Sequence, residues 1–209
     1  MKTTISFDYR IAMNYATNLF LAVKEDKSTY KLDKRTEAIM IMLGIDTALR
    51  ISDLLKLKYS DIEVAGEYGK PLIHTYVTKT KKNITIPISM CTLRHLENYK
   101  SWVELCYGDN GVSEFIFFNY NSKNKTTYSR QWAHKRLVIA NNEGLLGNKV
   151  EVAGAHSLRK TGANHIYEIT KDIRDAQYLL GHKNIMQTET YLAVDKKKAL
   201  ERLCTLAYN

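Results

Sequence analysis

Between Leu72 and Ile88 the hydrophobic period of the chain changes. Upstream, Ile51, Leu54, Leu55 and Leu57 fall on one stripe at helical spacing. Then Leu72-Ile73-His74-Thr75-Tyr76-Val77 and Ile84-Thr85-Ile86-Pro87-Ile88 are rich in β-branched residues, which pack well on a pleated surface. A polar turn, Thr78 to Asn83, separates them, and the pattern reads as a β-hairpin. Ile62 to Val64 is short enough to add a third strand. After Pro87 the helical spacing returns. The class expected is mainly α with a small antiparallel β-sheet.

Two prolines and ten glycines among 209 residues leave long helices free to run unbroken. Helices are predicted over Tyr9–Val23, Thr36–Leu43 with Gly44 near its end, Leu49–Leu57, Ser89–Leu105, Ser129–Asn141, Ser157–Ile169, Ile173–Leu180, and from Ile185 onward. A charged break is expected at Lys24–Asp33, and a short extended piece at Glu114–Phe118. Ser89, Asp172, Asn184 and Asp195 are residue types that cap helix N-termini, the last of them for a tail helix over Lys196–Ala207.

A hydrophobic share of 44% supports a packed core, and the length suits one compact domain or a domain with a short arm. The net charge of +9 points to a polyanionic partner, most often nucleic acid. Lysines cluster at Lys79, Lys81 and Lys82, and at Lys196, Lys197 and Lys198. Cys91, Cys106 and Cys204 show neither metal-ligand spacing nor a disulfide framework. The most apolar stretch, Ala38 to Ile45, is too short to span a bilayer. The chain therefore reads as a soluble, reduced, cytoplasmic protein with no membrane partner.

Four segments carry chemistry-bearing residues. In Thr47-Ala48-Leu49-Arg50-Ile51-Ser52-Asp53-Leu54, Arg50 interrupts an apolar helical pattern. The hairpin tip carries Lys79, Lys81 and Lys82. In Ala155-His156-Ser157-Leu158-Arg159-Lys160-Thr161, His156 and Arg159 stand at i and i+3, on one face of a helix start. Leu179-Leu180-Gly181-His182-Lys183 is followed, nine residues after His182, by Tyr191. Each segment alone is weak, because surface arginines, hairpin lysines and single histidines are common.

Taken in order, these residues resemble the tyrosine recombinases, the phage-integrase family. That family carries an arginine in an A/L-R-x-x-E/D-L segment, a lysine in a β-hairpin, an H-x-L-R box, an L-G-H box, and a tyrosine about nine residues later. The matching residues are Arg50 with Asp53, Lys79, His156 with Arg159, His182, and Tyr191. The resemblance covers roughly Thr36 to Tyr191. Lys160 departs from it, standing where many relatives have a histidine. The family also usually has an N-terminal DNA-binding domain, whereas only about the first 30 residues precede the core here. In this the chain resembles short members such as the fimbrial-type invertases.

The resemblance implies residues 1–30 as an N-terminal helical arm and 31–209 as the catalytic domain of the DNA breaking-rejoining fold, with a C-terminal tail helix at 195–209. It implies cleavage and rejoining of double-stranded DNA through a 3′-phosphotyrosyl link, with neither metal nor cofactor. Arg50 and Arg159 would clamp the phosphate through charge-assisted hydrogen bonds. Tyr191 would be the nucleophile, His156 the proton acceptor and Lys79 the general acid. His182 would bond the phosphate or brace Tyr191, and Asp53 would orient the cations. Lys81, Lys82, Lys160 and Lys183 would contact DNA. A homotetramer on two DNA sites, coupled through the tail, is expected from a chain monomeric without DNA and associated with the nucleoid when bound. Three alternatives stay open: a type IB topoisomerase, a non-catalytic DNA-binding regulator of the same fold, and a basic RNA-binding module. A supercoiled plasmid carrying two target sites separates the first from a recombinase, by strand exchange against relaxation.

Overall fold

The computed structural model describes residues 6–21, 29–66, 68–108, 111–147, 154–192 and 204. In chain order the elements are α1 (Tyr9–Leu21), α2 (Thr29–Thr47), α3 (Ile51–Leu54), a 3-10 turn (Tyr59–Asp61), β1 (Ile62–Glu63), β2 (Leu72–Val77) and β3 (Lys82–Pro87). They continue with α4 (Met90–Tyr107), α5 (Arg130–Asn142), α6 (Ala155–Thr170), α7 (Ile173–Leu180) and α8 (Ile185–Leu192). Helices around one small sheet are the class expected from the residue pattern.

Helix α2 is the axis of the fold. Ala38 to Leu43 are all fully buried, which explains a continuous apolar run without helical periodicity. Helices α1, α4, α5 and α6 pack around it. The helix begins at Thr29, inside the stretch expected to be a charged break, and runs through Gly44 to Thr47. Charge alone does not end a helix, and neither glycine nor proline interrupts Thr29 to Leu43. Conversely, the apolar stripe expected to hold a helix over Leu49–Leu57 is helical only from Ile51 to Leu54. Its remaining apolar side chains, Leu55 and Leu57, are buried from a turn instead.

Helices α2 and α6 cross with almost no side chain between them. A Cβ added to Gly162 would lie 2.0 Å from the carbonyl oxygen of Ile45, and one added to Gly44 would lie 2.8 Å from Leu158 Cδ1. This contact joins the end of α2, just before Arg50, to the helix that carries His156 and Arg159. Phe7 N–H donates to Thr161 Oγ1 at 2.8 Å and Asn164 Nδ2 donates to Ser6 Oγ at 2.9 Å, so the start of the chain straps onto the same helix. Helix α1 buries Ala12, Ala16 and Phe20 in the shared core.

The sheet has the order β1-β2-β3, antiparallel throughout. In the hairpin Ile73 faces Ile86 and Val77 faces Lys82, so the turn comprises Thr78 to Lys81. Phe115 and Phe118 make isolated bridges to Lys58 and Thr127, which accounts for the extended piece expected there. Ser89, Ser129 and Asp172 cap α4, α5 and α7 through their side chains, and Asn184 Oδ1 accepts from Met186 N–H at the start of α8. Apart from Cys204, the expected tail helix lies outside the described residues.

Candidate active site

Arg50 is placed by a reversal at the end of α2. Thr47 Oγ1 turns back to the Leu43 carbonyl at 2.6 Å. Ala48 then adopts φ +47°, a left-handed conformation unfavourable to a residue with a Cβ. The chain leaves extended at Arg50, whose carbonyl accepts the first N–H groups of α3, from Asp53 and Leu54. Arg50 Nη1 is buried and has no hydrogen-bond partner among the described residues.

Asp53 is 3% exposed. Its Oδ1 accepts the backbone N–H of Thr78 at 3.3 Å, while Oδ2 is buried without a partner among the described residues. It thus connects the Arg50 segment to the hairpin residue immediately before Lys79. Lys79 itself is exposed on the turn.

Helix α6 contributes His156 and Arg159. Arg159 is buried, and its Nη1 and Nη2 donate to the backbone carbonyls of Ala48 and Leu180. One guanidinium therefore holds the reversal before Arg50 and the end of α7 before His182. Burial and the neighbouring Arg50 cation depress its pKa to about 10, against the opposing pull of Tyr191 and Asp53. The group remains cationic at neutral pH.

Helix α7 ends at Gly181, whose φ of +61° turns the chain into His182. Gln177 brackets that residue: its carbonyl accepts His182 N–H and its side chain donates to the His182 carbonyl, both at 3.1 Å. The imidazole Nδ1 lies 3.1 Å from Thr188 Oγ1, and its ring meets the Tyr191 ring edge to face at 5.6 Å.

Arg50, Lys79, His156, His182 and Tyr191 line a single cleft of about 970 Å³, with Lys160 and Lys183 on the same walls. Arg159 and Asp53 stand behind these walls. Lys183 also lines a neighbouring groove of about 560 Å³ between β3 and α7, together with Lys82 and Arg174. Lys81 lines neither. Lys160, expected at a DNA contact, is only 6% exposed although it reaches the cleft, and burial lowers its pKa.

The electrostatics of the cleft follow from crowding of cations. His156 and His182 both have lowered pKa values, first through burial and then through Arg159, Arg50 and Lys79; that of His182 falls to about 4. Both imidazoles are neutral at neutral pH. The Tyr191 phenol is pushed up by burial, while Arg159 and Arg50 pull it back. Its Oη donates to the His156 carbonyl at 3.4 Å. Residue patterns did not single out Thr188 or Gln177. A threonine three residues before the tyrosine was the available signal for the first, and nothing local marked the second.

The phage integrase family model matches residues 15–198. The chain is 30% identical over 173 residues to the probable integrase/recombinase YoeC of Bacillus subtilis (strain 168), covering 82% of this chain and 86% of that protein. It is 24% identical over 195 residues to the tyrosine recombinase XerD of Staphylococcus saprophyticus, covering 93% of this chain and 62% of XerD. Among solved structures, the XerH site-specific recombinase in its post-cleavage complex with palindromic difH superposes with a TM-score of 0.72 at 20% identity, over 100% of this chain and 54% of that one. XerA recombinase superposes with a TM-score of 0.66 at 19% identity, over 100% of this chain and 67% of that one. The chain thus spans little more than half the length of XerD and XerH, and the likeness to the structures is one of fold. With the family match running through every element from α2 to α8, the chain belongs to the phage integrase family, the tyrosine recombinases.

Proposed function

We propose that this chain is a site-specific recombinase that cuts and rejoins double-stranded DNA through Tyr191. The observation that carries the reading is the convergence of Arg50, Lys79, His156, His182 and Tyr191 on one cleft, with Arg159 directly behind it. A buried guanidinium N–H without a partner among the described residues, on Arg50 Nη1, is the group that a phosphate oxygen satisfies best. Charge accumulates on the non-bridging oxygens as phosphorus is attacked, and fixed cations in a desolvated cleft stabilise it.

In the step proposed, Tyr191 Oη attacks phosphorus and the bond from phosphorus to the 5′ oxygen breaks. The phenolic proton passes to His156, whose neutral imidazole can accept it and whose carbonyl already holds the hydroxyl. The departing 5′ oxygen takes a proton from Lys79. The 3′-phosphotyrosyl link keeps the energy of the broken bond, so a 5′ hydroxyl of a second strand can attack it and release the tyrosine. Lys81, Lys82 and Lys183 lie on the hairpin and the α7–α8 turn beside the cleft, where they suit contacts to the phosphates that flank the cut. Lys160 suits a phosphate within the cleft itself. Residues 195–209 are assigned to coupling neighbouring subunits in a tetramer on two DNA sites, at the nucleoid.

The test needs no knowledge of the target sequence. The protein is incubated with a pool of randomised duplexes, and SDS-stable protein–DNA adducts are captured and sequenced. The expected adducts carry the protein on a 3′ phosphate and leave a 5′ hydroxyl that a polynucleotide kinase labels. Tyr191→Phe forms none. Linkage through a 5′ phosphate, or adducts that persist in Tyr191→Phe, would overturn the assignment.

A further inference from the structure

We infer that Thr188 is a positioning residue that holds His182 as its Nε2–H tautomer, so that the imidazole serves the cleft as a hydrogen-bond donor and not as a base. The inference rests on the recombinase reading for its consequence, but on this chain's own geometry for its content.

Thr188 is fully buried, on the first turns of α8 and one turn before Tyr191. A buried hydroxyl must place its proton on an acceptor or lose the free energy of that bond. Threonines within helices commonly turn back to the i−4 carbonyl, as Thr190 does to Met186 at 2.9 Å. Thr188 does not. Among the described residues its Oγ1 has one hydrogen-bond partner, His182 Nδ1 at 3.1 Å. The hydroxyl therefore donates to Nδ1, which must present a lone pair.

A neutral imidazole carries one N–H, so with Nδ1 accepting, the proton sits on Nε2. The backbone of His182 is fixed on both sides by Gln177, and its ring abuts Tyr191 along the cleft wall. A second proton on the ring is opposed first by burial and then by the surrounding cations, Arg159, Arg50 and Lys79. The two histidines of the cleft thus take complementary roles. His156 is neutral and its ring has no hydrogen-bond partner among the described residues, whereas His182 is neutral with its Nδ1 occupied. Partners that orient metal-ligating histidines are worth roughly 10–100-fold, and an effect of that order is expected where His182 must present one nitrogen.

The experiment measures tautomer and rate separately on the full chain. Two-bond 1H–15N correlations of the DNA-free protein, assigned by comparison with His182→Gln, should show His182 protonated on Nε2 alone. Thr188→Val, of nearly the same shape, should give a mixed tautomer, and its covalent-adduct formation should slow about tenfold with DNA binding unchanged. Thr188→Ser restores the hydroxyl and should return both readouts to within about threefold of the parent. A parent protein protonated on Nδ1, a Thr188→Val variant as fast as the parent, or a Thr188→Ser variant as impaired as Thr188→Val would each overturn the inference. If the parent forms no adduct with any DNA, the recombinase reading fails, while the tautomer measurement still decides the role of Thr188.

Discussion

Asp53 accepts the backbone N–H of Thr78, and through that one bond the segment bearing Arg50 is tied to the turn bearing Lys79. The two cations belong to parts of the chain separated by the 3-10 turn, β1 and β2. Asp53→Ala should free the hairpin. We expect single-turnover cleavage to fall about tenfold or more, since small misplacements of reacting groups are costly, and Thr78 amide exchange to accelerate. Asp53→Asn keeps an acceptor oxygen and should lie between. Unchanged exchange at Thr78 in Asp53→Ala would dissociate the carboxylate from the hairpin.

Lys79 is the one proposed catalytic cation on an exposed turn. A general acid matters only while the leaving group is poor. Replacing the bridging 5′ oxygen with sulfur provides a leaving group that departs without a proton. Lys79→Ala should therefore be severely slow on ordinary DNA and recover largely on the 5′-thio substrate. Lys81→Ala and Lys82→Ala should weaken binding modestly and show no selective rescue. If Lys79→Ala stays equally slow on sulfur, its role is phosphate contact and the acid lies elsewhere.

Gly162 stands where α6 meets the Ile45 carbonyl. Gly162→Ala places a methyl group where backbone already lies, so the helices must separate. Overpacking of this kind costs about 1–3 kcal/mol, read from the denaturant midpoint at constant m. Because α2 leads directly into Arg50, the folded variant should also cleave more slowly. Unaltered stability would mean that the helix crossing is looser than described.

Stability should depend on pH through His182. Its pKa is about 4 in the folded chain against an ordinary value of about 6.5. Between those values the unfolded state binds more protons, so stability rises with pH. The contribution is complete above about pH 6.5 and is lost as pH falls towards 4. With the ring partly buried, solvent screening leaves about 1–2 kcal/mol. His156 and His165, also lowered chiefly by burial, act in the same direction. Thermal melts of the DNA-free protein from pH 7.5 to 4 should show this slope, and His182→Gln should flatten it. Asp172, held near 2 by Arg174, contributes only at lower pH.

What could be read from residues alone was what depends on short spacing. His156 and Arg159 stand at a fixed interval on one helix that the apolar pattern reveals, and His182 stands at a fixed interval before Tyr191 from the turn between two such helices. The hairpin announced itself through β-branched runs. Long-range contacts were not legible. Arg159 meets Ala48 across 111 positions, and nothing near either residue marks that meeting. Likewise the length of α2 was hidden, because Ala38–Leu43, buried on every side, has no polar face to set a period, and the charged residues before it read as a break. Lys160 looked like a surface cation until its neighbours on α6 were placed.

The two carbonyls held by Arg159 bear on how a chain of this kind can change through descent. Its guanidinium serves the proposed phosphate clamp and the closure of the fold with the same atoms. Removing it would leave the Ala48 and Leu180 carbonyls without their shared donor and open the joint between three segments. Tyr191 carries a lesser structural duty: its hydroxyl makes a long bond to the His156 carbonyl and a hydrogen bond with Arg159 on the cleft wall. A descendant that abandoned cleavage while still gripping DNA would therefore shed Tyr191 early and retain Arg159, so the persistence of that arginine in a relative is a record of architecture and not of activity.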